Sequence, residues 1–218
     1  PALHCLGSGN PVPTMMLEVE TGKVLMAGYL GVERDDSEEF ARFGRERYGE
    51  PLKFSTDPIT HADERMHLSK QFLQADGYAG PMLILFGGGR AQMFQVAFGN
   101  NEPREARIAA VIEAAGAWQF TGAVYASELW LGSPGSKGNL LGVDKGRLLP
   151  SNREFFGDDR KGPDRDEGLI VVGLSADGRQ RVLVQLFGRV LGGYVFGREM
   201  VDEVPVPSFL RGILERWS

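Results

Sequence analysis

Short apolar runs bounded by turn residues dominate this chain. Leu169-Ile-Val-Val172 and Arg181-Val-Leu-Val-Gln-Leu-Phe187 are rich in β-branched residues and are joined through Ala176-Asp177-Gly178. Asp-Gly between two such runs predicts a hairpin with a two-residue type I′ turn, in which both central residues need positive φ. A third run, Val190 to Phe196, follows Gly188, and Gly192-Gly193 within it predicts a bulge or a close approach of another backbone. The three runs together predict an antiparallel meander with a helix to cover it. Two more hairpins are expected: Met15 to Glu20 with Lys23 to Tyr29 around Thr21-Gly22, and Met82 to Phe86 with Met93 to Phe98 around Gly87-Gly88-Gly89. Phe120 to Leu131 is a further strand.

Helical spacing appears between these runs. Thr60, followed by Asp63 and Glu64, predicts a helix start with acids in the first turn, where the helix dipole favours them. Met66, Leu68, Phe72 and Leu73 supply its apolar face, and Asp76-Gly77 its end. Pro103 suits a first helical turn, and Ile108, Val111, Ile112 and Ala115 then repeat at helical spacing until Gly116. Ser208 caps a C-terminal helix that is expected to lay Phe209, Ile213, Leu214 and Trp217 on the meander, with Leu210 on the same side. Asp36 to Tyr48, with Phe40 and Phe43, reads as an exposed helix. The fold class is therefore α+β, a mostly antiparallel sheet built from hairpins and a meander and covered by helices. Residues 1–76 form an N-terminal arm, hairpin and helical extension, and residues 77–218 an α+β core domain with a long irregular loop at 132–167. Loops of that length inside a compact domain are usually functional or disordered.

Composition narrows the function classes. With 218 residues, 42% apolar and 24% charged, the chain is an ordinary globular sequence. The net charge of −5 argues against general nucleic-acid binding, which needs clustered Lys and Arg. Cys5 is the single cysteine, so an intrachain disulfide is excluded. No apolar run approaches a membrane span of about 18 residues, and the N-terminus lacks the basic-then-apolar pattern of a signal peptide. The expected location is intracellular, in a bacterial cytoplasm or associated with a virion, without membrane contact.

Candidate chemistry is sparse. His61 and His67 lie six apart, off the shared face that an i, i+4 metal pair requires, so His4, His61 and His67 read as surface or cap residues and no metal or other cofactor is expected. Gly87-Gly88-Gly89-Arg90 sits between two strands, which suits a hairpin turn rather than a phosphate cradle. Ser136-Lys137 lacks the order of a P-loop. Ser127-Glu128 stands near a strand end beside the long loop, a place where acid–base chemistry could be built. The alternative is a structural pair between Glu128 and Arg165, whose planar fork matches a carboxylate.

Ala126-Ser-Glu-Leu-Trp130, then Pro163-Asp-Arg-Asp-Glu-Gly-Leu-Ile-Val-Val172 and Asp177-Gly-Arg179, resembles a loose set of small uncharacterised proteins encoded by bacteria and their phages, over about residues 82–190. The resemblance implies no activity; it implies that Glu128, Trp130, Arg165 and Glu167 share one local arrangement, which makes them the candidate binding residues. The leading expectation is a non-enzymatic binding or assembly protein, encoded by a phage or mobile element, that acts on a protein partner or forms a homo-oligomer. The alternative is a small hydrolase using Glu128 with an acidic partner from the 132–167 loop.

Overall fold

The computed structural model describes residues 13–18, 24–29, 55–96, 103–114, 119–131 and 166–218, together with residues 42 and 46. The N-terminal arm before Pro13, most of the 132–167 loop, Arg165 and the side chain of Trp130 lie outside the described residues. So does the expected helix at 36–48, apart from Arg42 and Glu46, which are helical and exposed.

The strands are β1 (Pro13–Glu18), β2 (Val24–Tyr29), β3 (Met82–Gly87), β4 (Arg90–Gln95), β5 (Gly122–Leu131), β6 (Asp166–Ser175), β7 (Gln180–Val190) and β8 (Gly193–Val201). They form one eight-stranded sheet in the order β2-β1-β4-β3-β5-β6-β7-β8, and neighbours pair antiparallel throughout. Besides Arg42 and Glu46, the described residues hold the helices α1 (Pro58–Asp76), α2 (Arg104–Ala114) and, after a 3-10 turn at Ser208–Leu210, α3 (Arg211–Glu215). This is an α+β fold on an antiparallel sheet. None of these helices is long and apolar enough to cross a membrane.

Side chains alternate across a strand, and here the alternation builds two cores. Leu83, Leu85, Tyr125, Val172, Val184 and Leu186 turn to one face, where Ile108 and Val111 of α2 meet Leu210 and Ile213 of the C-terminal segment. Ile84, Phe86, Val124, Val171, Leu183 and Phe187 turn to the other, where Ala62, Met66 and Leu73 of α1 pack. Helix α1, from the stretch set apart as an extension on sequence, thus lies on the central strands. β1 joins the same sheet through β4.

Helix α1 is seated by missing side chains. A Cβ on Gly122 would stand 2.7 Å from Pro58 Cγ, and one on Gly173 would stand 2.6 Å from the Pro58 carbonyl oxygen. The helix starts earlier than Thr60. Asp57 is the N-cap, accepting from the Thr60 N–H at 3.2 Å and the Thr60 hydroxyl at 2.9 Å, with Pro58 in the first turn. That moves Asp63 and Glu64 out of the first turn, because Asp-Pro is the stronger start signal. Gly77, at φ 73°, ends the helix as expected.

Two turns differ from expectation. At Ser175–Gly178 the left-handed conformation belongs to Gly178 alone. The Ser175 carbonyl accepts from the Gly178 N–H at 3.0 Å and the Ser175 N–H donates to the Arg179 carbonyl at 3.0 Å, the pattern of a turn with a glycine bulge instead of type I′. Asp177 can then accept from the Arg179 N–H at 3.1 Å and its Nε at 2.8 Å. The two-residue turn with positive φ at both positions occurs instead at Gly88-Gly89. Gly192-Gly193 is neither a mid-strand bulge nor a point of close approach. The β7–β8 turn runs through Leu191-Gly192, and a Cβ on Gly192 or Gly193 would meet nothing within 4 Å. The bulge of this hairpin lies at Gln185–Phe187, where the buried Gln185 side chain donates to the carbonyls of Leu186 (3.1 Å) and Gly197 (2.9 Å).

Candidate functional site

Strand parity gathers one polar cluster on the α1 face. Glu128 follows Val124 and Ala126 on β5, Glu167 precedes Leu169 and Val171 on β6, and Arg189 follows Phe187 on β7. Tyr194 of β8 stands opposite Arg189 in the register. Arg189 Nη2 lies 3.5 Å from Glu128 Oε2, and Arg189 Nε lies 3.3 Å from Glu167 Oε2. The Nη1 group donates to the Tyr194 hydroxyl at 2.6 Å and to the Gly77 carbonyl at 3.3 Å. Glu128 Oε1 accepts the Ala79 N–H at 2.8 Å. The guanidinium also stacks over Tyr194, 5.2 Å from the ring centre, and Phe187, at 5.6 Å.

The cluster is nearly dry: side-chain exposure is 8% for Arg189, 17% for Glu128 and 13% for Glu167. Two carboxylates on one guanidinium leave these three side chains with a formal charge of −1, so removing the arginine would leave two like charges with little water around them. Burial pushes the Tyr194 phenol above its usual value, Arg189 opposes that shift, and Glu128 and Glu167 add to it. Each Glu128 oxygen accepts from a protein donor, Oε1 from the Ala79 N–H and Oε2 from Arg189 Nη2. Through Gly77 and Ala79 the cluster ties the end of α1 to strands β5 to β8.

Among the residues expected from sequence, Glu128 and Glu167 are brought together and meet on Arg189. Trp130 stands opposite Glu167 in the β5–β6 register, and Arg165 lies outside the described residues. Sequence reasoning missed Arg189 and Tyr194. The signal for Arg189 was present: it shares the parity of Leu183, Gln185 and Phe187 in an apolar strand, so a charge there had to point toward the core.

Histidine 61 is likewise not a surface or cap residue. It is 1% exposed, on the sheet side of α1, with its ring edge-on to Phe86 at 5.0 Å between centroids. Burial, with Arg65 adding to it, lowers its pKa to about 3. Glu64 Oε2, 3.3 Å from Nδ1, pulls the other way. That carboxylate is 39% exposed and also accepts the Ser55 N–H, so desolvation prevails and the ring is neutral. His67 is exposed, as expected. Among the described residues, no three His, Cys, Asp or Glu side chains gather as they would around a metal ion.

Two large apolar side chains stand in solvent beside the cluster. Tyr78, 52% exposed, lies between Gly77 and Ala79, and Leu191, 94% exposed, lies two residues beyond Arg189. In comparisons with protein families, with curated proteins and with solved structures, the chain matches none.

Proposed function

We propose that this chain is a non-enzymatic binding or assembly protein whose contact surface includes Tyr78 and Leu191. The observation that carries this reading is the state of Glu128: Ala79 and Arg189 take its two oxygens, and the same Arg189 takes Glu167. On this reading the two carboxylates serve as a clamp. The clamp joins the two segments, and each carries a large apolar side chain exposed to solvent. The two exposed side chains, Tyr78 and Leu191, favour a protein partner on this reading.

The test is capture of partners on immobilised protein with chemical cross-linking, comparing wild type with Tyr78→Ala and Leu191→Ser. Neither change touches the clamp, so folding should persist while specific cross-links at this surface are lost. A hydrolytic activity of the pure protein that Glu128→Gln abolishes without unfolding it would overturn the reading.

A further inference from the structure

Two Asp-Gly dipeptides occur in this chain, Asp76-Gly77 and Asp177-Gly178. Such a dipeptide is open to isomerisation, because glycine has no side chain to shield the main-chain nitrogen that follows the carboxyl group. In that reaction the glycine nitrogen attacks the aspartate Cγ. A C–N bond forms, the amide proton and the carboxyl hydroxyl leave together as water, and a five-membered succinimide results. Water then adds back to the ring. Opening at the side-chain carbonyl restores aspartate, and opening at the main-chain carbonyl gives isoaspartate, with one extra carbon in the backbone. The reaction needs a protonated carboxyl group, an amide free to give up its proton, and a carboxyl carbon that can swing onto the nitrogen.

The turn at Ser175–Arg179 opposes all three. The Gly178 N–H donates to the Ser175 carbonyl at 3.0 Å. Asp177 Oδ1 accepts from the Arg179 N–H at 3.1 Å, and Oδ2 accepts from Arg179 Nε at 2.8 Å, so both oxygens are held on the residue beyond the nitrogen that would attack. The Arg179 N–H first, its side chain next and the Ser175 hydroxyl after them hold the carboxyl below the usual carboxylate range, and therefore ionised at neutral pH. Arg179 is itself anchored, with Nη2 3.0 Å from Oδ1 of Asp57, the N-cap of α1. Asp177 and Arg179 are 53% and 55% exposed, so these bonds, and not exclusion of water, restrain the reaction.

We propose that Asp177 is a latent isoaspartate site that the Arg179 side chain holds unreactive. Isomerisation would move the free carboxylate onto the main-chain carbon and lengthen the turn, so the bonds from Arg179 to Asp177 would be lost with it. Asp76-Gly77 supplies an internal reference. Its Gly77 N–H donates to the Leu73 carbonyl at 2.9 Å, at the opposite end of α1 from Asp57, so truncating Arg179 leaves it untouched.

The test incubates the full chain, wild type and Arg179→Ala, at neutral pH, both in native buffer and in urea. Peptide mapping reads isoaspartate at each dipeptide, through lost cleavage by an endoproteinase that cuts before aspartate and through methyl transfer by an isoaspartyl methyltransferase. Native wild type should isomerise at Asp177 at least several-fold more slowly than the same chain in urea. Native Arg179→Ala should be several-fold faster than native wild type at Asp177 and equal to it at Asp76. A wild type as fast in native buffer as in urea would overturn the proposal, and so would a native Arg179→Ala no faster than wild type. An equal acceleration at Asp76 would also overturn it, because general loosening of the fold would then explain the effect.

Discussion

Arg189 and Glu167 meet diagonally across neighbouring strands, guanidinium Nε to carboxylate Oε2 at 3.3 Å. Phe187 is the direct register partner of Glu167, and the arginine reaches back from two residues further along β7. The same guanidinium holds Glu128 on the far side of β6, so one side chain spans three strands and, through Gly77, the end of α1.

Arg189→Met should destabilise the fold by about 3–5 kcal/mol, because two carboxylates would lose their shared counter-charge in a nearly dry site. Urea unfolding measures this. Adding Glu128→Gln and Glu167→Gln to Arg189→Met should recover part of the loss. A triple variant no more stable than Arg189→Met would show that packing, not charge, explains the effect.

Stability should fall with pH over a window set by His61. Its folded pKa, about 3, lies below the unfolded value near 6.5. Below about pH 6.5 the unfolded chain binds a proton that the folded chain refuses, and the loss continues down to about pH 3. The slope from this one group is at most about 1.4 kcal/mol per pH unit. Comparing melting temperatures across this window for Glu64→Gln and Glu64→Gln/His61→Phe isolates it, since Glu64, 3.3 Å from the ring, is then absent from both. Equal slopes would mean that His61 protonates in the native state.

Gly173→Ala should loosen α1. The new methyl would meet the Pro58 carbonyl at 2.6 Å and Ala62 Cβ at 3.0 Å. These are backbone and a buried core contact, so the helix must shift, at a cost of about 1–3 kcal/mol. Amide exchange should accelerate in α1 before it does in β6 and β7. Gly192→Ala leaves space free but forces an alanine to φ 89°, so its smaller penalty is conformational strain alone.

The C-terminal segment closes the core mainly through Leu210 and Ile213, each 0% exposed. Leu210→Ala should cost about 2–5 kcal/mol. Trp217 is half-buried, donates from Nε1 to the Phe120 carbonyl at 2.9 Å and packs edge-on to the Phe120 ring at 5.7 Å. Its fluorescence in Trp118→Phe/Trp130→Phe protein should therefore be only partly open to a soluble quencher. Full quenching in the folded monomer would show that the segment does not dock. Truncation at Pro207 should yield an aggregating product.

The local grammar of this chain was legible because it is carried by near neighbours. Short β-branched-rich runs between turn residues marked the strands of the meander, Gly77 stopped α1, and the spacing of Ile108, Val111 and Ile112 marked the buried stripe of α2. Even the two carboxylates that share a site, Glu128 and Glu167, were singled out on sequence. Arg189, which lies 61 residues from Glu128, was not; the expected pair of Glu128 with Arg165 falls outside the described residues. Local pattern states which parity of a strand is buried, but not which strand lies beside it. Only the tertiary structure placed β1 against β4, brought Tyr194 of the third meander strand to Arg189, and laid His61 of α1 over Phe86. The turn at Asp177 shows the same division on a smaller scale. Asp-Gly ensures a reversal there, but the carboxylate's bonds to Arg179, and the further ion pair of Arg179 with Asp57 at 3.0 Å, accompany a bulged geometry that the dipeptide does not specify. Intrinsic preferences separate such turns by little, so non-local contacts decide between them.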